Sequence, residues 1–331
     1  MLDIVIGTMT FGGQTDQDTA TQMLAEFASS SSGRCRIDSA RMYCGGETDK
    51  MLGRIFEEDK TLGDKFAASC KSNPFMGNSL SANSLTKQLD EELEFSQRQS
   101  ADIFYLHGPD ANTPIEETLK AVQDCHEAGK FKIFGLSNFT SWETVWIHSY
   151  MESKGWVVPS IYQGMYNALT RSVEEELFPA LRRIGMKFFV YNPLMGGMLT
   201  GKHKREEKDT LAEGRFTSKT QWGKIYQDRF MKEVQFDAVD VIKRACDKHG
   251  ISPAQASLRW LVHHSKVSTS QHGDAIIIGA SSISHFRDNI ASVREGKELP
   301  EEVVAAFSEG WELCKPVCPS YSRGYSGSAL E

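Results

Sequence analysis

What this 331-residue chain lacks narrows its class first. No apolar run approaches the roughly 20 residues that cross a bilayer, and no basic-then-apolar leader opens the sequence, so neither a membrane protein nor a secreted precursor is expected. The seven cysteines form no pair of CxxC motifs and are odd in number. They read as reduced thiols of a cytoplasmic protein. Excess positive charge is missing too. With a formal charge of −7 and a pI of about 5.8, the chain offers nucleic acid no global attraction. The short basic run KHKR (202–205) is followed at once by EEKD. No GxGxxG follows the first strand-like run, where GTMTFGG stands instead, which argues against an open dinucleotide-binding sheet. No HxH lies there either, and the adjoining His263 and His264 form no ligand pattern with carboxylates, so a metal site is not expected.

What is present is an alternation. Strand-like apolar runs fall at 2–7, 34–37, 65–70, 102–107, 131–137, 159–164, 186–192 and 274–279. Helical spacing fills 16–30, 45–58, 81–96, 113–129, 141–153, 172–185, 238–250, 252–264 and 282–294. Pro179 predicts a bend or restart inside the sixth of these, and Ser282 a cap for the last. Eight βα units of this kind predict a closed (β/α)8 barrel, a TIM barrel, as one domain over 1–331, with an extra C-terminal helix at 301–315 and a tail at 316–331. The least regular stretch, 194–231, is too long for an ordinary βα connection and reads as a functional loop closing over a ligand.

Four polar residues stand at or just beyond the ends of strand-like runs: Asp38 after RCRI, Tyr43 five residues on, Lys71 at the end of KFAASCK, and His107 at the end of DIFYLH. Functional groups in such a barrel come from strand ends, so the four are expected to converge at one mouth. Together they make a proton-delivery device. A phenol ionises near pH ~10, and a neighbouring ammonium is expected to lower that value. The carboxylate would keep the ammonium charged and the imidazole would bond an oxygen undergoing reduction. Taken singly, Asp38 and Lys71 also fit a structural ion pair and Tyr43 fits packing.

At these residues the chain resembles the aldo-keto reductases, through IDSARMYCGGETDKMLG, ASCKSNP and DIFYLHGPD. The likeness continues in GLSNF (135–139), YQGMYN (162–167), YNPLMGGMLTGKH (191–203) and GASSISHFRDN (279–289). GTMTFG, GRF…WGKIYQDRFMKEVQF and CPSYSR point to the branch of the aflatoxin aldehyde reductases. The resemblance implies NADPH-dependent reduction of aldehydes and reactive ketones, with Asp38, Tyr43, Lys71 and His107 catalytic and Tyr43 the proton donor. It implies that Ser137, Asn138 and Gln163 bond a nicotinamide carboxamide and that Tyr191 stacks on the ring. Asn192, Pro193, Leu194, Gly196, Gly197, Leu199, Gly201 and Lys202 would pass the pyrophosphate. Gly279, Ser281, Ser282, His285, Asp288 and Asn289 would hold the adenosine end of NADP(H). His285 departs from the Arg or Gln of many relatives. Because a histidine is a pH-dependent phosphate partner, NADPH preference is expected to be larger at pH ~6 than at pH ~8. Met9, Tyr43, Trp222, Tyr226, Arg229 and Arg323 would line a substrate pocket, with one arginine receiving a carboxylate such as that of a semialdehyde. GYSGSALE follows Arg323 and either displaces it or hangs free. The same likeness implies a homodimer. It also leaves open a cofactor-binding regulatory subunit resembling the potassium-channel β subunits, with slow turnover or none.

Overall fold

The computed structural model describes residues 2–75 and 77–327. Eight parallel strands close a barrel in chain order: β1 (Asp3–Gly7), β2 (Cys35–Asp38), β3 (Phe66–Ser72), β4 (Ala101–Leu106), β5 (Phe131–Ser137), β6 (Pro159–Met165), β7 (Lys187–Tyr191) and β8 (Ala275–Ile278). Closure pairs Asp3 with Ala275 and Ile6 with Ile278. The predicted TIM barrel is therefore correct, with strand limits shifted by a residue or two. Around it run α1 (Gln17–Ser29), α2 (Glu47–Glu58), α3 (Lys60–Asp64), α4 (Ala82–Phe95), α5 (Ile115–Glu127), α6 (Ser141–Ser153) and α7 (Leu177–Arg183). They are followed by α8 (Gln221–Phe230), α9 (Glu233–Lys248), α10 (Pro253–His263), α11 (Thr269–His272), α12 (Ile283–Arg294) and α13 (Glu301–Cys314). Among the described residues no helix is long and apolar enough to cross a membrane.

Alternation along the strands sorts side chains into two cores. Val5, Ile103, Tyr105, Ile161, Phe189, Ala275 and Ile277 form a small cluster of their own, fit to fill the barrel, while a larger cluster joins strand outer faces to helices. The same alternation carries Lys71 inward, two residues beyond Ser69.

Three expectations need correcting. The break in 172–185 lies before Pro179: a 3-10 turn, Ser172–Glu174, precedes α7, and Pro179 sits in the first turn of that helix, where its missing N–H costs nothing. The helix read at 238–250 starts at Glu233, and α13 packs along it, so the extra C-terminal helix rests on a longer α9. The stretch 194–231 is not merely irregular. It holds 3-10 segments at Met195–Thr200 and Arg205–Thr210 and then α8. Thr220 caps α8 through the Gly223 N–H at 3.0 Å.

Candidate active site

β2 ends on Asp38, β3 carries Lys71 as its next-to-last residue, His107 follows β4, and Tyr43 opens a 3-10 turn ahead of α2. Lys71 is fully buried and its Nζ lies 2.8 Å from Asp38 Oδ2. Nζ also donates to the Ser39 carbonyl at 2.5 Å. It stands 5.1 Å from the centre of the Tyr43 ring and 5.7 Å from that of Tyr105. The other oxygen of Asp38 accepts from Ser69 Oγ at 3.1 Å and Gln163 Nε2 at 2.8 Å. The Tyr43 and His107 rings meet edge to face with centres 6.2 Å apart. All four predicted residues thus meet at the C-terminal mouth.

Their ionisation follows from burial and charge. Burial alone would lower Lys71, but the charges of Asp38 and Tyr43 and the Asp38 hydrogen bond outweigh it and hold the ammonium above its ordinary range. Tyr43 corrects an expectation. Although it keeps partial exposure at the mouth, desolvation dominates and pushes its hydroxyl up to about 12; Lys71 lowers it, but by less. Desolvation, then the charges of Lys71 and Arg323, push His107 well below the usual histidine range, so the ring is neutral at pH ~7. Its Nδ1 is buried without a hydrogen-bond partner among the described residues. A neutral imidazole has one N–H donor and one acceptor, and an unpaired buried nitrogen is costly unless a ligand meets it.

Asn138 joins His107 to the rest of the mouth. In the left-handed region at φ +64, it donates to the His107 carbonyl at 2.8 Å and to Ser137 Oγ at 3.0 Å. Its Oδ1 accepts from the Tyr191 hydroxyl at 2.8 Å. Asn138 and Gln163, expected to face a carboxamide, are therefore engaged inside the protein. Gln163 keeps its Oε1 free of the Asp38 bond, and Asn138 orients Tyr191.

The remaining cofactor candidates form a path along the rim. Asn192, at φ +53, Pro193 and Leu194 follow β7. Gly196 and Gly197 have φ +69 and +111, and a Cβ on Gly196 would stand 2.9 Å from the Tyr226 ring, so only glycine fits. Leu199 is buried, while Gly201, at φ +69, and exposed Lys202 lead outward. Beyond the neighbouring strand β8, Gly279 and Ser281 are exposed ahead of α12, whose first turn holds no acidic residue. Ser282 caps α12 by accepting the His285 backbone N–H at 3.4 Å. The side chains of His285 and Asp288 are exposed and Asn289 is half-buried. A glycine path, a lysine and an acid-free helix start suit the phosphates of a dinucleotide.

On the substrate side, Arg215 Nη1 lies 2.8 Å from Met9 Sδ and its guanidinium stands 5.3 Å from the centre of the Tyr226 ring. Asn192 Nδ2 donates to the Tyr226 hydroxyl at 3.4 Å. Trp222 precedes Tyr226 by one turn of α8 and is half-buried. Burial and the Arg323 charge lower Arg229. The tail neither displaces Arg323 nor hangs free as far as Gly327. The Arg323 N–H donates to the Asn138 carbonyl at 2.9 Å, Ser326 N–H to Glu143 Oε1 at 3.0 Å, and Gly327 N–H to the Asp110 carbonyl at 2.7 Å. Arg323 is thereby laid over Phe75, 5.4 Å from the ring centre, beside His107. Residues 328–331 of the tail lie outside the described residues. Sequence reasoning missed Phe75 and Arg215, although Phe75 directly follows SNP and Arg215 lies in the quoted GRF. Arg215, Arg229 and Arg323 make no ion pair among the described residues.

Residues 3–312 match the family model described as Aldo/keto reductase family. The chain is 41% identical over 322 residues to aflatoxin B1 aldehyde reductase member 4 of Homo sapiens, covering 96% of each chain. It is 42% identical over 327 residues to aflatoxin B1 aldehyde reductase member 2 of Homo sapiens, covering 96% of this chain and 89% of the relative. A more distant relative, aldo-keto reductase pigE of Monascus ruber, is 33% identical over 297 residues and covers 87% and 86%.

Proposed function

The chain belongs to the aldo/keto reductase family, oxidoreductases that act on carbonyl groups with a nicotinamide cofactor, and on that premise we propose that it reduces aldehydes and reactive ketones to alcohols with NADPH. The observation that carries the proposal is the buried Lys71–Asp38 pair, 2.8 Å long, set beside the Tyr43 ring and a neutral His107. When bound, the reduced nicotinamide supplies the hydride that the carbonyl carbon receives. Tyr43 gives its proton to the carbonyl oxygen, and Lys71 stabilises the phenolate left behind. Asp38 keeps Lys71 charged and fixed. His107, being neutral, can donate a hydrogen bond to the same oxygen without competing for the proton. Tyr43 then recovers a proton from solvent.

The three arginines without carboxylate partners support an anionic ligand at the rim, either the cofactor's phosphates or an aldehyde bearing a carboxylate. Tyr226, Trp222 and Phe75 would offer apolar surface to a planar substrate, and aldehydes are the class in the names of the two human relatives. A steady-state assay over aromatic, aliphatic and carboxylate-bearing aldehydes, with NADPH and with NADH, tests the reading. Rapid turnover with NADPH is expected. Tight NADPH binding with very slow turnover on every aldehyde would favour a regulatory cofactor-binding subunit instead. Dissociation constants for both cofactors at pH ~6 and ~8, read by tryptophan fluorescence, test His285: a preference independent of pH assigns the 2′-phosphate to the serines or the 194–231 segment.

A further inference from the structure

Behind the four site residues, between β3 and the helices, two carboxyl groups are buried to 1% exposure. Asp49 lies in the first turn of α2 and Glu92 near the end of α4. Each has one oxygen firmly bonded, and among the described residues Asp49 Oδ2 and Glu92 Oε1 make no hydrogen bond of normal geometry, although the Arg41 backbone N–H also favours the charged form of Glu92. The bonded oxygens grip Lys71 from two sides. Glu92 Oε2 accepts the backbone N–H of Lys71 at 2.9 Å. Asp49 Oδ1 accepts the Ser39 hydroxyl at 2.5 Å, and the carbonyl of that same Ser39 accepts Lys71 Nζ at 2.5 Å. Two full negative charges in so dry a place would be costly, and neighbouring carboxyls that cannot both ionise titrate as a pair.

We propose that Asp49 and Glu92 hold one proton between them and act together as a positioning pair for Lys71, fixing its ammonium against Asp38 while carrying one charge rather than two. Burial pushes both groups up, Asp49 to about 6 and Glu92 well above the carboxylate range, with the Asp49 charge the next cause for Glu92. The surrounding charges do not cancel the pair. Lys71 is already matched by Asp38. Arg41 is bonded to Glu91 at 3.1 Å and lies over Phe95. Arg98 lies over Phe56, and burial keeps the Cys70 thiol protonated. The kinetic part of the proposal rests on the reductase reading; the shared proton does not.

Infrared difference spectroscopy of the full chain without cofactor, in heavy water near neutral pH, reads the proton directly. A protonated carboxyl band is expected in the parent and should be lost in Glu92→Gln. Absence of that band from the parent, or its full survival in Glu92→Gln, overturns the shared proton. In turnover of 4-nitrobenzaldehyde with NADPH, Glu92→Leu should lower kcat about tenfold or more with KM for NADPH unchanged. Glu92→Gln, which keeps an acceptor for the Lys71 N–H, should recover most of that loss. Parent kcat in Glu92→Leu, or an equal loss in both variants, overturns the positioning role. A parent that binds NADPH without turnover refutes the reductase reading instead, and the infrared result alone then decides the pair.

Discussion

Tyr43 keeps its proton because the mouth is dry. Its hydroxyl is pushed up to about 12, above the ~10 of a free phenol, so the acid form that the proposed reduction calls for persists through neutral and mildly alkaline pH. Tyr43→Phe should lower kcat for 4-nitrobenzaldehyde by about 10²–10⁴-fold, while NADPH still quenches tryptophan fluorescence with the parent's affinity. His107 sets a second expectation. Its folded value lies well below the unfolded ~6.5, so the native state binds fewer protons. The resulting stability is present above pH ~6.5 and is lost as pH falls below it. Asp49 and Glu92, shifted upward, act in the opposite sense. The fall in thermal midpoint between pH ~7 and ~5 should therefore be smaller in His107→Phe than in the parent; an equal fall would refute a neutral His107. The motif contexts made the positions of Tyr43, Lys71, Asp38 and His107 legible in the sequence. The sign of the Tyr43 shift was not, because desolvation depends on what the rest of the chain packs around the group. Asp49 stood unnoticed in a quoted motif for the same reason, its partner Glu92 lying on a different helix.

Elements carry the rim. α8 was hidden by the Gly, Lys and Arg around it, although Trp222, Tyr226 and Phe230 recur at i, i+4 and i+8. The Ser282 cap of α12 and the span 141–153 of α6 were legible because capping and periodicity are local. Gly223 is what lets α8 lie against the preceding turn: a Cβ there would stand 1.9 Å from the Thr217 carbonyl oxygen. Gly223→Ala should push the 211–218 segment away from α8 and raise KM for NADPH several-fold, with the barrel's thermal midpoint little changed; an unchanged KM would show that this segment does not reach the cofactor. The fastened tail makes a companion prediction. Deleting residues 324–331 removes the anchors at Ser326 and Gly327 that hold Arg323 over Phe75. KM for succinic semialdehyde should rise several-fold while that for neutral 4-nitrobenzaldehyde stays near the parent's. Equal effects on both would deny Arg323 a charge-reading role. The tail's anchors were illegible because their acceptors, Asn138, Glu143 and Asp110, are more than 180 residues upstream.

Across the whole molecule the two ends of the barrel divide the work. At the mouth, His107 Nδ1 has no partner among the described residues. At the far end, Asp274, fully buried, accepts from Arg182 at 2.6 and 3.0 Å, from the Phe188 N–H at 2.8 Å and from the Ser268 N–H at 2.9 Å. Asp274→Ala should destabilise the fold by about 3–5 kcal/mol, because it leaves Arg182 and two amides without their acceptor, yet leave kcat near the parent value. Denaturant unfolding beside steady-state kinetics checks both halves. The barrel itself was legible because its strands and helices announce themselves by period, one after another. The order of its closure has a consequence for how the chain is made. β1 is completed only when β8 lies beside it, some 270 residues later on the ribosome. Until then a nascent chain emerging from the tunnel presents two raw sheet margins, at β1 and at the latest strand added, each able to template pairing with a neighbouring polysome product. Translation arrest before residue 275 should thus yield aggregation-prone, chaperone-bound chains, and release past α12 should free them.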